Sequence, residues 1–225
     1  QVRGHGTPGE VFPTRVVHQV ARLDAGIHRQ AMQDRKANKK IIVTGAARRI
    51  GAALVSALAQ DGWQVVLHYH RRRQEAEALC RTLGDKGYAI EAISADLSQA
   101  EAPQALIEAA SQTGPVTALI NNASLFYYDC AASVSAEQIA RHMAVNLTAP
   151  ALLTRAFYEQ LPASQTGCVI NMLDAKLFGI NPDYFSYTLS KAAAQSLTQI
   201  SAQAYAPKLR VNAIAPGIVL PSGGQ

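Results

Sequence analysis

The sequence predicts a doubly wound parallel α/β sheet, and three observations carry that reading. The stretch Ile41–Gln60, IIVTGAARRIGAALVSALAQ, passes from an apolar triplet through Thr44-Gly45 into an Ala-rich amphipathic segment after Arg49, which reads as strand, tight turn and helix. From Ile41 onward the same rhythm repeats, apolar run then helical periodicity, as in a sheet covered by helices on both faces. A chain of 225 residues with 48% apolar content is long enough and apolar enough to bury one such core.

Taken in order, residues 1–38 are expected to be a basic and largely flexible extension. Gly4, Gly6, Pro8, Gly9 and Pro13 punctuate its start, and Val16, Val20, Leu23, Ile27 and Ala31 then fall at helical spacing. The spacing suits a frayed linker helix, weakened at Gly26, and less well a docking helix. A single domain is expected over 39–225. Its strands are predicted at Ile41–Val43, Gln64–Tyr69, Tyr88–Ile93, Thr117–Asn121, Gly167–Met172 and Leu209–Ile214. Helices are predicted at Gln74–Leu83, Gln104–Ser111, Gln138–Ala149, Ala151–Leu161 and Tyr184–Tyr205, with a break at Pro150 because proline fits a helix's first turn.

Chemistry gathers where strands end. Gly45 permits a sharp turn, and Gly51 removes a side chain where the opening helix meets the strand, which frees helix N-terminal amides for a pyrophosphate. Alone, this is also the look of an ordinary βα unit. After the second strand, where dinucleotide folds place an acid on the adenine ribose, the chain reads His68-Tyr69-His70-Arg71-Arg72-Arg73. Guanidinium groups pair bidentately with a 2′-phosphate, so NADP(H) is favoured over NAD(H), with Arg71 the leading residue. The competing reading, a solvated charge run opening a helix, is disfavoured because cations sit poorly at a helix N-terminus. Asp96 and Ser98, flanking Leu97, suit an adenine amino group, and Asp96 equally suits a helix cap. Asn121-Asn122-Ala123-Ser124 lines the same sheet edge, and Phe126, Tyr127 and Tyr128 suit either a flat substrate or loop packing. Tyr187 and Lys191, four apart on one helix face, form a pair in which the lysine cation is expected to favour tyrosinate, and Asp174 ends the fifth strand beside them.

These residues resemble the short-chain dehydrogenase/reductase family over roughly residues 39–220. Thr44-Gly45, Asn121-Asn122-Ala123, Asn146, Tyr187-x3-Lys191 and Pro216-Gly217 stand in family order. Arg49, where the family usually has a third glycine, and Asp174, where most members carry serine, are similar to the pteridine reductase branch, as are His68-Tyr69-His70-Arg71 and Asn122-Ala123-Ser124-Leu125-Phe126. The resemblance implies a Rossmann-type sheet that binds NADPH through Gly45, Arg49, Ile50, Gly51, His70, Arg71, Arg72, Asp96, Leu97, Asn122, Ala123, Ser124, Lys191, Pro216 and Gly217. It further implies that Arg49 and Ser124 touch the pterin, that Phe126 stacks it over the nicotinamide, that Asp174 and Tyr187 supply protons, and that Asn146 supports a relay through water. Arg72 stands where a small hydroxyl residue is expected. The implied reaction is NADPH-dependent reduction of a dihydropterin or dihydrofolate by a homo-oligomer, a tetramer by resemblance. In the family a covering loop, a helix and a seventh strand follow Pro216-Gly217, so a domain lacking its last strand and helix is expected here.

Other classes are excluded or kept open by composition. The formal charge of +5 comes entirely from residues 1–40, while 41–225 carry thirteen basic and thirteen acidic residues, so no nucleic-acid partner is expected. No apolar run reaches a membrane span and no signal peptide is visible, which makes the cytoplasm the expected location. Cys80, Cys130 and Cys168 show neither zinc spacing nor a disulfide pattern, and no metal is expected. Two alternatives to the pterin reading remain: a carbonyl or 3-oxoacyl reductase of the same fold, and a catalytically dead NADPH-binding protein.

Overall fold

Strand β1 (Lys40–Val43) lies at the middle of a six-stranded sheet because it is buried along its whole length and pairs on both sides. The protein is seen here as a computed structural model that describes residues 39–217; the expectations for 1–38 and for the chain after Gly217 lie outside the described residues. Strands β2 (Gln64–Tyr69), β3 (Ile90–Ser94), β4 (Val116–Asn121), β5 (Gly167–Met172) and β6 (Leu209–Ile214) complete the sheet in the order β3-β2-β1-β4-β5-β6, every pair parallel. The order reverses between β1 and β4. In such sheets that reversal opens a crevice beyond the carboxyl ends of the strands.

Strands β1, β2 and β4 feed side chains alternately to two cores, which explains their apolar runs. Ile42, Val66, Leu119 and Val169 share one core with Leu106, Ile107, Leu153 and Phe157 of helices α3 (Ala102–Ser111) and α5 (Ala149–Gln160). Ile41, Val43, Val65, Leu67, Ala118 and Ile120 share the other with Val55, Ala76 and Leu83 of α1 (Arg49–Gln60) and α2 (Arg73–Gly84). Among the described residues no helix is long and apolar enough to cross a membrane.

The predicted doubly wound sheet is present, with three local corrections. Strand β3 begins at Ile90 and not Tyr88, because Gly87 turns at φ +82° and the Tyr88 N–H closes back on the Leu83 carbonyl (3.2 Å). Helix α3 begins at Ala102 and not Gln104, with Pro103 in its first turn. The expected break at Pro150 is absent. Helix α4 (Ala136–Met143), a π-helical turn over Ala144–Thr148 and α5 run on with helical dihedrals, and Pro150 occupies the first turn of α5. The π turn widens the helix at Asn146, a device found at functional sites.

His68, inside β2, holds the sheet to the first turn. It is 2% exposed, its Nδ1 accepts the Gly45 N–H (3.1 Å), and its Nε2–H therefore donates to the Ala95 carbonyl (3.0 Å). Burial lowers this imidazole to about 4, against the partial opposition of the Ala95 hydrogen bond. The unfolded chain, with an ordinary imidazole near 6.5, takes up the proton first as pH falls. The stabilisation from neutral His68 is thus complete above about pH 6.5, declines below it and is gone below about 4, a change on the order of 3 kcal/mol. Urea unfolding of wild type and His68→Gln between pH 7.5 and 4 checks this; equal loss of stability in both proteins removes His68 as the cause.

Candidate functional site

At the reversal point the turn after β1 and the end of β4 interlock. Thr44 Oγ1 accepts the N–H groups of Asn122 and Ala123, both at 2.9 Å, and Asn122 Nδ2 donates to the carbonyls of Thr44 (2.8 Å) and Gly45 (3.1 Å). Gly45 has φ +61°, and a Cβ there would lie 2.7 Å from Ala123 Cα; one on Gly51 would lie 2.6 Å from the Gly45 carbonyl oxygen. Both positions therefore exclude any side chain. Helix α1 has no side-chain cap and no carboxylate in its first turn, so its leading amides, near Ile50 and Gly51, are left as donors for an anion. Arg49 sits in this turn at φ +54°, a left-handed conformation a branched carbon resists.

The basic stretch after β2 divides. Arg73 pairs with Glu77 (2.7 Å) and Arg72 with Glu75 (3.3 Å), so both serve the exposed face of α2, and Arg72 also stands at its N-cap. Arg71 is exposed and has no ion-pair partner among the described residues. His70 Nε2 lies 3.7 Å from Asp96. Asp96 does not cap a helix: its carboxylate accepts the N–H (3.0 Å) and hydroxyl (2.7 Å) of Ser98 in a turn, and α3 starts six residues later. Leu97 is buried in the core, so only its backbone is available at the sheet edge.

On the other side of the crevice, helix α6 (Phe185–Ala204) brings Tyr187 against Asp174, which caps a short 3₁₀ turn over Ala175–Phe178. The Tyr187 hydroxyl donates to Asp174 Oδ2 at 2.6 Å, while Asp174 Oδ1 accepts the Lys176 N–H at 2.8 Å. Lys191, 4% exposed, donates to the Met172 carbonyl (2.7 Å), and its ammonium stands 5.8 Å from the centre of the Tyr187 ring. The expected lowering of the phenol by Lys191 is therefore corrected. Burial pushes the Tyr187 phenol well above its usual value, and the hydrogen bond to Asp174 and its charge push it the same way. Burial also lowers Lys191, to about 8, against the opposing pull of Asp174. The proton of the Tyr187–Asp174 pair thus rests on the phenol. Pro216 approaches from β6, its carbonyl accepting the Ala175 N–H (2.9 Å), with the exposed Gly217 next to it.

Asn146 and Phe126 are both engaged within the protein. Asn146, 3% exposed, accepts the Leu125 N–H (2.8 Å) and donates to the Leu125 carbonyl (3.0 Å) and Ser190 Oγ (2.9 Å). Its amide clamps the loop after β4 to α6, so both amide N–H groups are committed to protein partners and not to water. Phe126 is 41% exposed, yet one face is already stacked on Tyr184 (4.1 Å, 8°), and it meets Tyr187 edge-on at 4.6 Å. Only the opposite face remains for a ligand. Ser124 is exposed, its hydroxyl turned to the Leu125 carbonyl (3.2 Å).

A family model described as short chain dehydrogenase matches residues 39–223. The chain belongs to the short-chain dehydrogenase family. Among solved structures, FolM alternative dihydrofolate reductase 1 of Brucella canis, complexed with NADP, is 43% identical, with 84% of this chain and 75% of that one covered and a TM-score of 0.80. The Brucella suis protein of the same description, also with NADP, is 42% identical over 81% and 76% of the two chains, at a TM-score of 0.78. A Staphylococcus aureus 3-oxoacyl-[acyl-carrier-protein] reductase is 29% identical over 82% of this chain and 76% of its own.

As a short-chain dehydrogenase the chain is an oxidoreductase, and its expected site residues converge on one sheet edge. Sequence reading passed over what two residues do there. His68 enters the sequence reading only as part of the His68-Tyr69-His70-Arg71 motif, and its tie between Gly45 and Ala95 has no local pattern to mark it. Tyr184, at φ +55° ahead of α6, was read as part of the helix, and its left-handed turn is what lays its ring on Phe126. Among the described residues no group of three or more potential metal ligands is assembled, and the three cysteines are free. Arg49→Gly should relieve the left-handed strain and raise the unfolding free energy by about 1 kcal/mol while removing a guanidinium from the first turn. Urea unfolding checks the sign; a destabilised variant means that Arg49 makes contacts worth more than its strain.

Proposed function

We propose that the chain is an NADPH-dependent reductase of a pterin or dihydrofolate. The observation that carries this reading is the carboxylate of Asp174 bonded to the Tyr187 hydroxyl at 2.6 Å, where most members of the family have a serine by resemblance. The cofactor assignment is supported by a glycine cradle that any Cβ would fill, by uncapped amides at the start of α1, and by Arg71 left unpaired where a 2′-phosphate would lie. The NADP bound in both FolM structures supports it as well. Gly45, Arg49, Ile50, Gly51, Arg71, Asn122, Ala123 and Lys191 would hold NADPH, which supplies a hydride.

Reducing a C=N bond places that hydride on carbon and requires one proton on nitrogen. Tyr187 and Asp174 hold one proton between them at a hydrogen bond of charge-assisted length. Asp174, half-buried, takes a second proton from water and passes one to the ring nitrogen, and the Lys176 N–H keeps its other oxygen in place. In carbonyl reduction the charge grows on oxygen instead, where a carboxylate repels it and a neutral hydroxyl serves better. The free face of Phe126 and the edge of Tyr187 offer a flat heterocycle an aromatic wall. Similarity to a 3-oxoacyl reductase favours a second reading, reduction of a carbonyl in the same site.

Asp174→Ser should lower dihydropterin or dihydrofolate reduction by about 10²-fold, the usual scale of a positioned acid, and Tyr187→Phe comparably, with NADPH affinity nearly intact. Steady-state rates against dihydrobiopterin, dihydrofolate and a ketone panel decide; unchanged pterin turnover in Asp174→Ser, or a wild type that prefers ketones, transfers the assignment to carbonyl reduction. Lys191 is charged only below about pH 8, so kcat/KM should fall on the alkaline side of that value. Lys191→Arg should carry that limb upward by a unit or more, and an unmoved limb assigns it to another group.

A further inference from the structure

The chemistry above leaves unused a second buried polar cluster, one residue from Tyr187. Asp129 and His142 are 1% exposed and Ser186 is fully buried. They come from three segments: the loop that follows Phe126, Tyr127 and Tyr128, the last turn of α4, and the first turn of α6. Ser186 donates its backbone N–H to Asp129 Oδ1 (3.0 Å) and its hydroxyl to Asp129 Oδ2, and the Phe185 N–H donates to the Asp129 carbonyl (3.2 Å). A buried carboxylate that accepts two such hydrogen bonds, with its own main-chain carbonyl tied by a third, is one whose position is held strongly.

The direction of every proton in the cluster follows. Ser186 has one hydroxyl proton, and it goes to Asp129. Its oxygen, 2.7 Å from His142 Nδ1, must therefore accept from an Nδ1–H. That fixes the imidazole tautomer and leaves Nε2 as an acceptor, and the Tyr127 N–H stands 3.2 Å from it. The line thus runs one way, from Tyr127 N–H through His142 and Ser186 to Asp129, and its two ends lie two residues apart in the same loop. Protonated His142 would turn a second N–H against that of Tyr127 and break the line.

We propose that His142, Ser186 and Asp129 are positioning residues that pin the Tyr127–Asp129 loop to α4 and α6 and so set the aromatic wall that Phe126 and Tyr187 form in edge-on contact, against whose open side a flat substrate lies. Phe126 precedes the pinned loop and Ser186 precedes Tyr187, so the relay joins the two sides of the wall at adjoining residues. The rings stand 4.6 Å apart, and the His142 ring lies 6.2 Å from that of Tyr187. This rests on the reading of that wall as the substrate site.

The test has one arm that needs no substrate. In ¹⁵N NMR of the whole chain at neutral pH, His142 should show the Nδ1–H tautomer, which is the less common form of a free imidazole, and amide exchange at Tyr127 should quicken about tenfold or more in Ser186→Ala. In steady state Ser186→Ala should raise substrate KM about tenfold while kcat stays within about twofold and the Kd for NADPH is unchanged, a split that general loosening of the fold does not produce. An Nε2–H tautomer in the wild type, or unchanged amide exchange and KM in Ser186→Ala, overturns the proposal. Should Ser186→Ala fail to fold, the wild-type tautomer still decides. If the wild type reduces ketones and no pterin, the pterin reading fails, and the same KM split measured on the ketone still judges the relay.

Discussion

Every functional group at the carboxyl edge depends on the lock between the turn after β1 and the end of β4. Sheet reversal makes a crevice there, but a crevice between two loops is only as fixed as the loops are. Thr44 and Asn122 bind each other's backbone in both directions, so neither turn can shift without breaking several bonds at once, each worth about 1 kcal/mol net. His68 then ties the same turn to β2 and, through Ala95, to the end of β3. Four strand ends are thereby registered against one another, and Gly45 and Gly51 leave the space inside the register empty of side chains.

Charge is distributed unevenly about that frame. On the α1 side the chain presents donors and cations: uncapped amides, Arg49 and Arg71. On the α6 side it presents one carboxylate held between a phenol and a backbone N–H, with a buried ammonium behind it. Burial lowers Lys191, and Asp174 sits close enough for its carboxylate to support the cation. Under the proposed function this gives a division of labour in which Lys191 would balance charge and meet the ribose, and the Tyr187–Asp174 pair would handle the proton. A spacing of four residues places Tyr187 and Lys191 on one face, yet the phenol is tuned first by its burial and then by Asp174, thirteen residues away in sequence.

That difference marks what the sequence made legible. Strands β1, β2 and β4 are readable as apolar runs because both faces of the sheet are buried there, while β5 and β6 show buried residues only at alternate positions. The first turn and the Tyr187–Lys191 pair were readable because their chemistry needs fixed local spacing. Contacts that depend on a rotamer or a neighbouring loop leave no local pattern: the commitment of Asn146 to Leu125 and Ser190 and the stacking of Tyr184 on Phe126 are of this kind. The uninterrupted passage through Pro150 was missed for a related reason. A proline in a first turn removes no hydrogen bond, and a π turn just before it lets the preceding helix run in without a break.

The same logic explains why two buried polar systems lie side by side on α6 without interfering. Tyr187 and Ser186 are consecutive, so their side chains leave the helix about 100° apart and face different neighbours. Tyr187 faces a carboxylate that is half-buried and reached by solvent, as the proposed proton relay requires. Ser186 faces a carboxylate that is 1% exposed and accepts both its backbone N–H and its hydroxyl, with His142 on the other side of that hydroxyl oxygen. A buried ion of that kind is costly unless every lone pair is met, and here the cost is borne by hydrogen bonds that also fix the loop. One aspartate is thus placed for exchange and the other for rigidity. Swapping their degrees of burial would leave the wall unpinned and the proton trapped.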